Sequence, residues 1–391
     1  MSARKLVDVV IASAVRTPVG CFRGSLAKLT APELGAVAIR GAVGKAAIDP
    51  THVKEVYMGN VLQAAEGQAP TTQALIGAGL LESTPATTIN KVCASGMKAV
   101  MLAAQTIQTG AQPAMVAGGM ESMSNVPYYA PRGTAYGHSV LGDGIVKDGL
   151  WDVYNNFHMG NCAENTARKH NISREMQDSH AIASYKRAAA AWAAGVFDKE
   201  VVPVTVKTRK GDSVVSVDEE FTNVNFDKVP GLRPVFEKNG SVTAANASTI
   251  NDGASALLLL SAERAGQLGV QPLARIVSFA DAATFPIDFP IAPSLAVPIA
   301  LERAGLAIKD IALWELNEAF SVVARVNEKI LGLDPDKVNI AGGAVALGHP
   351  IGSSGSRILV TLTHLLKPGQ FGCASVCNGG GGASAVVIQR L

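Results

Sequence analysis

Neither sign of charge prevails in this sequence: 34 Lys and Arg stand against 32 Asp and Glu, a net charge of +2. No overall field is available to gather a phosphate backbone or an acidic membrane, and no concentrated basic stripe replaces it, which argues against nucleic-acid binding. Charged residues are scarce at 17% while 48% are hydrophobic, so disorder is excluded as a description of the whole chain. Long apolar runs are also missing. None approaches the roughly 20 uninterrupted residues that cross a bilayer, and the chain is expected to be soluble. The five cysteines, Cys21, Cys93, Cys162, Cys373 and Cys377, are odd in number and widely spaced, which argues against a disulfide framework and for a reducing compartment. Cys373 and Cys377 lack the second Cys and His cluster that zinc requires. Residues 1–10 carry Arg4 and Lys5 but neither the apolar core of a signal peptide nor an Arg- and Ser-rich transit stretch. The protein is therefore expected either to stay where it is made or to have lost a presequence.

The 391 residues suffice for one very large core or two to three ordinary domains. Residues 7–14 form a β-branched run, 32–47 read as a helix, and 53–61 are apolar before the turn at 66–70, a succession that indicates an α/β core. Residues 87–92 should be extended and 95–107 helical, with Cys93 at the junction. A strand at 113–117 is expected to end at Gly118-Gly119. From Met120 to about Phe236 the chain makes an excursion, with a long helix at 173–195 and a charged hairpin around 207–218. Periodicity resumes at 242–260 and 273–280. The second half then follows the same pattern, with helices at 294–304, 320–330 and 354–366 and strands at 311–316, 337–340 and 372–376. A strand entering a small-residue helix start occurs at 89–97 and again at 338–355, each followed by a strand into glycines, which supports two related halves.

Four segments can carry chemistry. A cysteine at a strand-to-helix junction gains from helix N-terminal amides, which lower a thiol pKa, so Cys93 is a candidate nucleophile; an ordinary buried cysteine is the other reading. In Gly348-His349-Pro350, proline fixes the chain after the histidine, which either presents a ring nitrogen to a cysteine or bonds the backbone at a helix start. Arg357 reads as a structural or surface charge. Four glycines follow Cys377-Asn378, and their N–H groups can converge on an oxyanion or simply form a tight loop. The Lys-Ser/Thr ending of a P-loop is absent, as is the acidic partner of a dinucleotide fingerprint. Asn317 follows a strand and can cap the next helix, with Glu318 in its first turn; an active-site role stands beside that structural one.

Taken jointly, Asn90-Lys91-Val92-Cys93-Ala94-Ser95-Gly96, Gly118-Gly119-Met120-Glu121-Ser122-Met123-Ser124, Asn317-Glu318-Ala319-Phe320, Gly348-His349-Pro350 and Cys377-Asn378-Gly379-Gly380-Gly381 resemble the thiolase family over essentially the whole chain. Within it, they look most like the mitochondrial-type branch acting on acetoacetyl-CoA. The resemblance implies an α/β thiolase fold: duplicated halves in a five-layer α/β/α/β/α arrangement, with an inserted loop domain. The corresponding boundaries are 1–120 and 249–272 for the N-terminal half, 121–248 for the insertion and 273–391 for the C-terminal half.

It also implies Cys93 as nucleophile, His349 as its activating base, Cys377 as the second acid/base and Asn317 as the residue orienting a catalytic water. One oxyanion would meet the N–H groups of Cys93 and Gly379, the other His349 and the water of Asn317. For coenzyme A the matching positions are His158, Met159, Tyr185, Asn223, Val224, Asn225, Lys228 and Ser248. For potassium they are Tyr185, Ala244, Ala245, Ala247 and Val345. Phe289-Pro290 matches the branch that accepts a 2-methylated substrate. The same resemblance implies no redox cofactor, acyl-CoA partners, a homotetramer helped by residues 124–143, and either the mitochondrial matrix or the cytoplasm.

Overall fold

A computed structural model describes residues 6–133 and 136–391; Arg4, Lys5 and positions 134–135 of the association segment lie outside the described residues. The first half runs β1 (Val9–Arg16), α1 (Ala31–Lys45), β2 (Glu55–Gly59), α2 (Pro70–Ala78), β3 (Ala86–Ile89), α3 (Ser95–Gln108) and β4 (Ala114–Ser122). It resumes at β5 (Asn251–Ser261) after an excursion holding α4 (Met159–His170), α5 (Arg174–Ala193) and the hairpin Val204–Thr208 with Gly211–Val215. The second half is β6 (Ala274–Ala283), α6 (Pro293–Ala304), β7 (Ile311–Leu316), α7 (Ser321–Leu331), α8 (Ile351–Leu365), β8 (Phe371–Asn378) and β9 (Gly382–Arg390).

The duplication is visible in the ladders. In the first half β1 pairs antiparallel with β5 and β5 with β4; β4 and β2, then β2 and β3, are parallel. In the second half β6, β9 and β8 are antiparallel in that order, and β8 and β7 are parallel. The two sets meet where Val10 faces Arg275 and Ile11 faces Ala274.

Side-chain alternation sorts the core into layers, because successive residues of a strand point to opposite faces. Leu257 and Leu259 of β5, with Val9 and Ile11 of β1, face a central cluster built on α3 and α8. Leu258, Leu260, Val10 and Val15 face the outer cluster of α1 and α2. In β9, Val386 and Ile388 join the central layer, whereas Ala385 and Val387 face α6 on the far side. Both faces of each sheet are covered, so these strands read as unbroken apolar runs rather than alternating ones. Cys373 is part of that far layer, a core thiol.

Local chemistry sets most element ends. Thr30 and Glu33 form a reciprocal capping box at α1, for example. Three expectations need correction. Strand β4 does not stop at Gly118-Gly119 but continues to Ser122; a Cβ on Gly119 would lie 2.0 Å from the Gly352 carbonyl, so the glycine admits the start of α8 against the strand. Residues 337–340 make only a parallel bridge, Trp314 to Val338, where the first half has β3. Asn339 leaves the ladder in a left-handed conformation, its side chain bonding Leu316 N, Leu316 O and Glu318. Helix α8 begins at Ile351, three residues early, and the glycine-rich turn before it holds a short helix, Ala344–Leu347.

Candidate active site

Cys93 sits between β3 and α3 on a turn whose preceding residue, Val92, has φ +49, a strained value for a β-branched side chain. The turn is pinned locally: Asn90 Oδ1 accepts from Val92 N at 3.0 Å, and Ser95 Oγ accepts from Lys91 N at 2.8 Å while donating to Val92 O. The thiol is nearly buried and lines a cavity of about 590 Å³. Burial pushes its pKa up to about 12, and the nearby N–H groups of Cys93 and Gly379 only partly oppose this. The expectation of a lowered thiol pKa is therefore corrected. At the end of a helix wrapped in protein, loss of water outweighs the helix amides.

His349 lines the same cavity. It follows Gly348, whose φ of +100 suits glycine, and whose absent Cβ leaves room for the Asn251 side chain. Asn251 Oδ1 accepts from His349 N at 2.8 Å, and His349 Nδ1 lies 2.6 Å from Ser354 Oγ. The Ser354 hydroxyl donates to Pro350 O at 2.9 Å, so its oxygen accepts from Nδ1–H. That assignment leaves Nε2 bare as a base, 3.5 Å from Asn317 Nδ2. Burial first, then the charge of Arg357, pushes the imidazole down to about 3, so the ring is neutral. Thiol and imidazole thus rest as a neutral pair.

Cys377 is the penultimate residue of β8, fully buried, its pKa raised by burial and by the proximity of Cys93. Asn317 N donates to Ser375 O of the same strand, and Asn317 Oδ1 is buried without a partner among the described residues. The helix-capping reading fails here, since α7 starts only at Ser321, with Phe320 at its cap. Glu318 is instead fully buried, 3.4 Å from His180 Nε2. It accepts from Ser184 Oγ and Asn339 Nδ2 at 2.8 Å and from Val345 N at 3.2 Å. Those four donors come from the insertion and the second half, and they hold the segment away from the helix. Arg357 is buried opposite Glu315 at 3.7 Å, a structural charge.

The cavity brings together Cys93 and His349 with His158, Met159, Asn223, Ser248, Ala244, Ala247 and Phe289. It does not bring in Asn317, Cys377, Gly379, Tyr185, Val224, Asn225, Lys228, Ala245, Pro290 or Val345, which stand outside its lining; Cys377 shares a buried cluster with Met159 and Phe289, which do line it, whereas Asn225 and Lys228 are exposed. Sequence reasoning missed Phe236, which stacks on His158 at 4.8 Å, and Cys21, whose thiol meets Glu220 and Asn223 at the cavity wall. It also missed Ser354 and Asn251, which hold His349; no local signal marks either one.

Proteins of known identity share this architecture. Residues 9–263 match the family described as thiolase, N-terminal domain, and residues 270–390 match thiolase, C-terminal domain. The chain is 63% identical over 389 residues to the mitochondrial acetyl-CoA acetyltransferase of Mus musculus, covering 99% of this chain and 92% of that protein. It is 63% identical to the Homo sapiens protein of the same name, with coverages of 100% and 92%. Among solved structures, a thiolase from Ascaris suum in complex with coenzyme A superposes with a TM-score of 0.95 at 47% identity, covering 98% of this chain and all of that one. The acetyl-CoA acetyltransferase of Bacillus anthracis gives 0.96 at 39% identity with full coverage of both.

Proposed function

The chain belongs to the thiolase family, and from that premise we infer that it is an acetyl-CoA C-acetyltransferase. It cleaves acetoacetyl-CoA with coenzyme A and, in reverse, condenses two acetyl-CoA. The observation that carries the reading is the meeting of a buried thiol, Cys93, and a histidine with a bare Nε2, His349, in one cavity, with a second buried thiol, Cys377, nearby.

In this reading the Cys93 proton passes to His349 Nε2, and the sulfur attacks the thioester carbonyl. Coenzyme A leaves with the proton, and an acetyl group remains on Cys93. Cys377 then passes its own proton to His349, and its thiolate takes an α-proton from a second acetyl-CoA; the resulting carbanion attacks the acetyl carbonyl, breaking its bond to Cys93, whose sulfur takes the proton back from His349. In the cleavage direction Cys377 returns that proton to the departing carbon. Two cysteines serve because acyl storage and carbon proton transfer occur in one cycle. The N–H groups of Cys93 and Gly379 face the first oxyanion; His349 and a water taken up by the open Asn317 Oδ1 face the thioester enolate. Each aimed donor contributes on the order of 3 kcal/mol to the transition state.

Coenzyme A would lie along His158, Met159, Asn223 and Ser248, with Tyr185, Val224, Asn225 and Lys228 outside the lining. Potassium suits the positions at Tyr185, Ala244, Ala245, Ala247 and Val345. The carbonyls of Ala244, Ala245 and Ala247 take no hydrogen bond from the described residues. Besides burial, the carboxylates of Glu220 and Glu318 press on the Tyr185 hydroxyl and raise its pKa, a negative surrounding that fits a cation. Bound there, potassium would order the loops around coenzyme A. Phe289, packed beside Cys377, and Pro290 would shape the pocket for a 2-methyl group. The four-part division of the chain, a homotetramer aided by residues 124–143, and a mitochondrial site of action like that of the relatives complete the proposal.

The test is CoA-dependent cleavage of acetoacetyl-CoA and its 2-methyl form, in potassium and again in sodium, with acetyl-enzyme followed by intact mass. Cys93→Ala should form no acetyl-enzyme. Cys377→Ala should still be acetylated yet make no carbon–carbon bond, and normal turnover in it would sink the assignment.

A further inference from the structure

A cavity of about 380 Å³ lies between α5 and α7 and shares no lining residue with the cavity of Cys93. Its walls carry Glu175, Ser179, His180 and Arg187 from α5, with Arg325 and Glu328 from α7. Residues 176, 180, 183 and 187 follow the three- and four-residue spacing of one helix face, as do 325 and 328, so two facing helices supply the lining. No step of acyl transfer uses any of them.

The His180 side chain is only 8% exposed, and its Nε2 stands 3.4 Å from Glu318 Oε1. Glu318 accepts from Ser184 Oγ, Asn339 Nδ2 and Val345 N, the pattern of a carboxylate, so the imidazole turns an N–H towards it from Nε2. Nδ1 is then a bare acceptor, and it is buried with no partner among the described residues. A buried acceptor without a donor is costly, and a ligand that brings a donor relieves it. The rest of the wall offers N–H groups. Arg325 gives one, from Nη1, to Glu328, and its others have no protein partner among the described residues. Arg187 is fixed by Val338 O at 2.8 Å and Pro335 O at 3.1 Å, with Asp336 3.5 Å away. Glu175 and Glu328 border these donors, so an anion with no proton to share meets two carboxylates and a bare nitrogen. Hydrogen phosphate meets them differently: its P–OH donates while its charged oxygens take guanidinium N–H groups in fork geometry.

We propose that this cavity binds inorganic phosphate in its hydrogen-phosphate form, with His180 Nδ1 accepting from P–OH and Arg325 donating to the anionic oxygens. The site stands apart from the acyl-transfer groups and does not depend on the reading above. Its one link to them is His180, which faces Glu318, the neighbour of Asn317 in the chain.

The experiment is isothermal titration of the full chain with potassium phosphate and, separately, potassium sulfate, at constant potassium and ionic strength. Mildly alkaline pH makes both ions dianions, of which only phosphate keeps a proton. Saturating coenzyme A is present, so that phosphate does not report on the places taken by the coenzyme's own phosphates. One phosphate per chain should bind at least ~10-fold more tightly than sulfate, because a site built around a P–OH donor rejects the ion that lacks it. His180→Phe leaves Glu318 its other three donors, and Arg325→Gln leaves Glu328 an amide donor. Each should weaken phosphate at least ~10-fold, and the second variant carries the test if the first folds poorly. Equal affinity for the two ions overturns the assignment of P–OH to Nδ1. Phosphate affinity unchanged in a folded variant of either kind places the ion elsewhere and overturns the site. No saturable phosphate binding to the parent leaves Nδ1 to water and overturns the proposal outright.

Discussion

Replacing Ser354 with alanine isolates the device that makes His349 a base. In the native site the Ser354 oxygen takes the Nδ1 proton at 2.6 Å because its own hydroxyl is committed to Pro350 O. Alanine leaves that N–H buried without a partner. Pro350 O loses little, since it still receives the N–H groups of Ser353 at 2.9 Å and Ser354 at 3.0 Å. The cost therefore falls on one tautomer of one ring, about 1–3 kcal/mol for an unsatisfied buried donor. The ring escapes it by moving its proton to Nε2, which disables the base. At about 1.4 kcal/mol per tenfold, Cys93 acetylation should slow by roughly 10- to 100-fold. Rapid quench with intact-mass detection of acetyl-Cys93 measures this step, and urea unfolding under the same conditions separates it from a loss of fold. An acetylation rate within about twofold of the parent would show that Ser354 does not set the tautomer, and the reasoning would fail.

Other perturbations probe the frame around the site. Arg16, fully buried, holds Glu200 at 2.5 Å and Asp218 at 2.7 Å, tying β1 to the insertion. Arg16→Met strands two buried carboxylates and should cost about 3–5 kcal/mol in denaturant unfolding; a loss under about 1 kcal/mol would contradict this account. Burial alone would raise the Asp281 carboxyl, but Lys91, Lys98 and Ser384 outweigh it and bring it down to about 2. A lowered carboxyl pKa stabilises the fold above the unfolded value of 3.8 and loses that contribution as pH falls towards 2. With its side chain 35% exposed, Asp281→Asn should cost no more than about 1 kcal/mol at pH 7, and the two proteins should converge near pH 2. A gap that widens in acid would refute the pairing. Glu318→Gln keeps the shape but turns an amide N–H₂ towards donors on one side, and should destabilise by about 2–3 kcal/mol. An unchanged urea midpoint would count against it.

Much of the fold was legible because burial on both faces of a sheet writes itself as apolar runs. Leu257 to Leu260 are such a signal, whereas the one cap read from sequence, Asn317, does not start its helix. Failures came where a side chain serves a distant partner. Asn339 looks like part of a strand because its neighbours are apolar, yet its amide is used by Leu316 and Glu318, and the ladder ends. Gly118-Gly119 looks like a stop because glycine punctuates turns, yet here it lets another helix approach. The same two residues read locally as a break and tertiarily as a contact, and only the fold decides.

In the site, the reactive groups stand out in the sequence for a physical reason: a thiol at a helix start and a histidine before proline are chemically unusual where they occur. Their supports are ordinary. Ser354 looks like any helix serine and Asn251 like any strand asparagine, yet one fixes a proton and the other a backbone. The thiol pKa shows the limit most directly. A helix N-terminus is readable from a motif, but desolvation is a property of everything that surrounds Cys93, and the Gly379 N–H that partly offsets it comes from the other end of the chain. Sequence thus named the atoms that react in this reading, whereas their protonation at rest follows from packing. Neutral, buried partners imply that proton transfer from Cys93 to His349 waits for substrate, whose developing oxyanion supplies the charge that the two N–H groups are placed to meet.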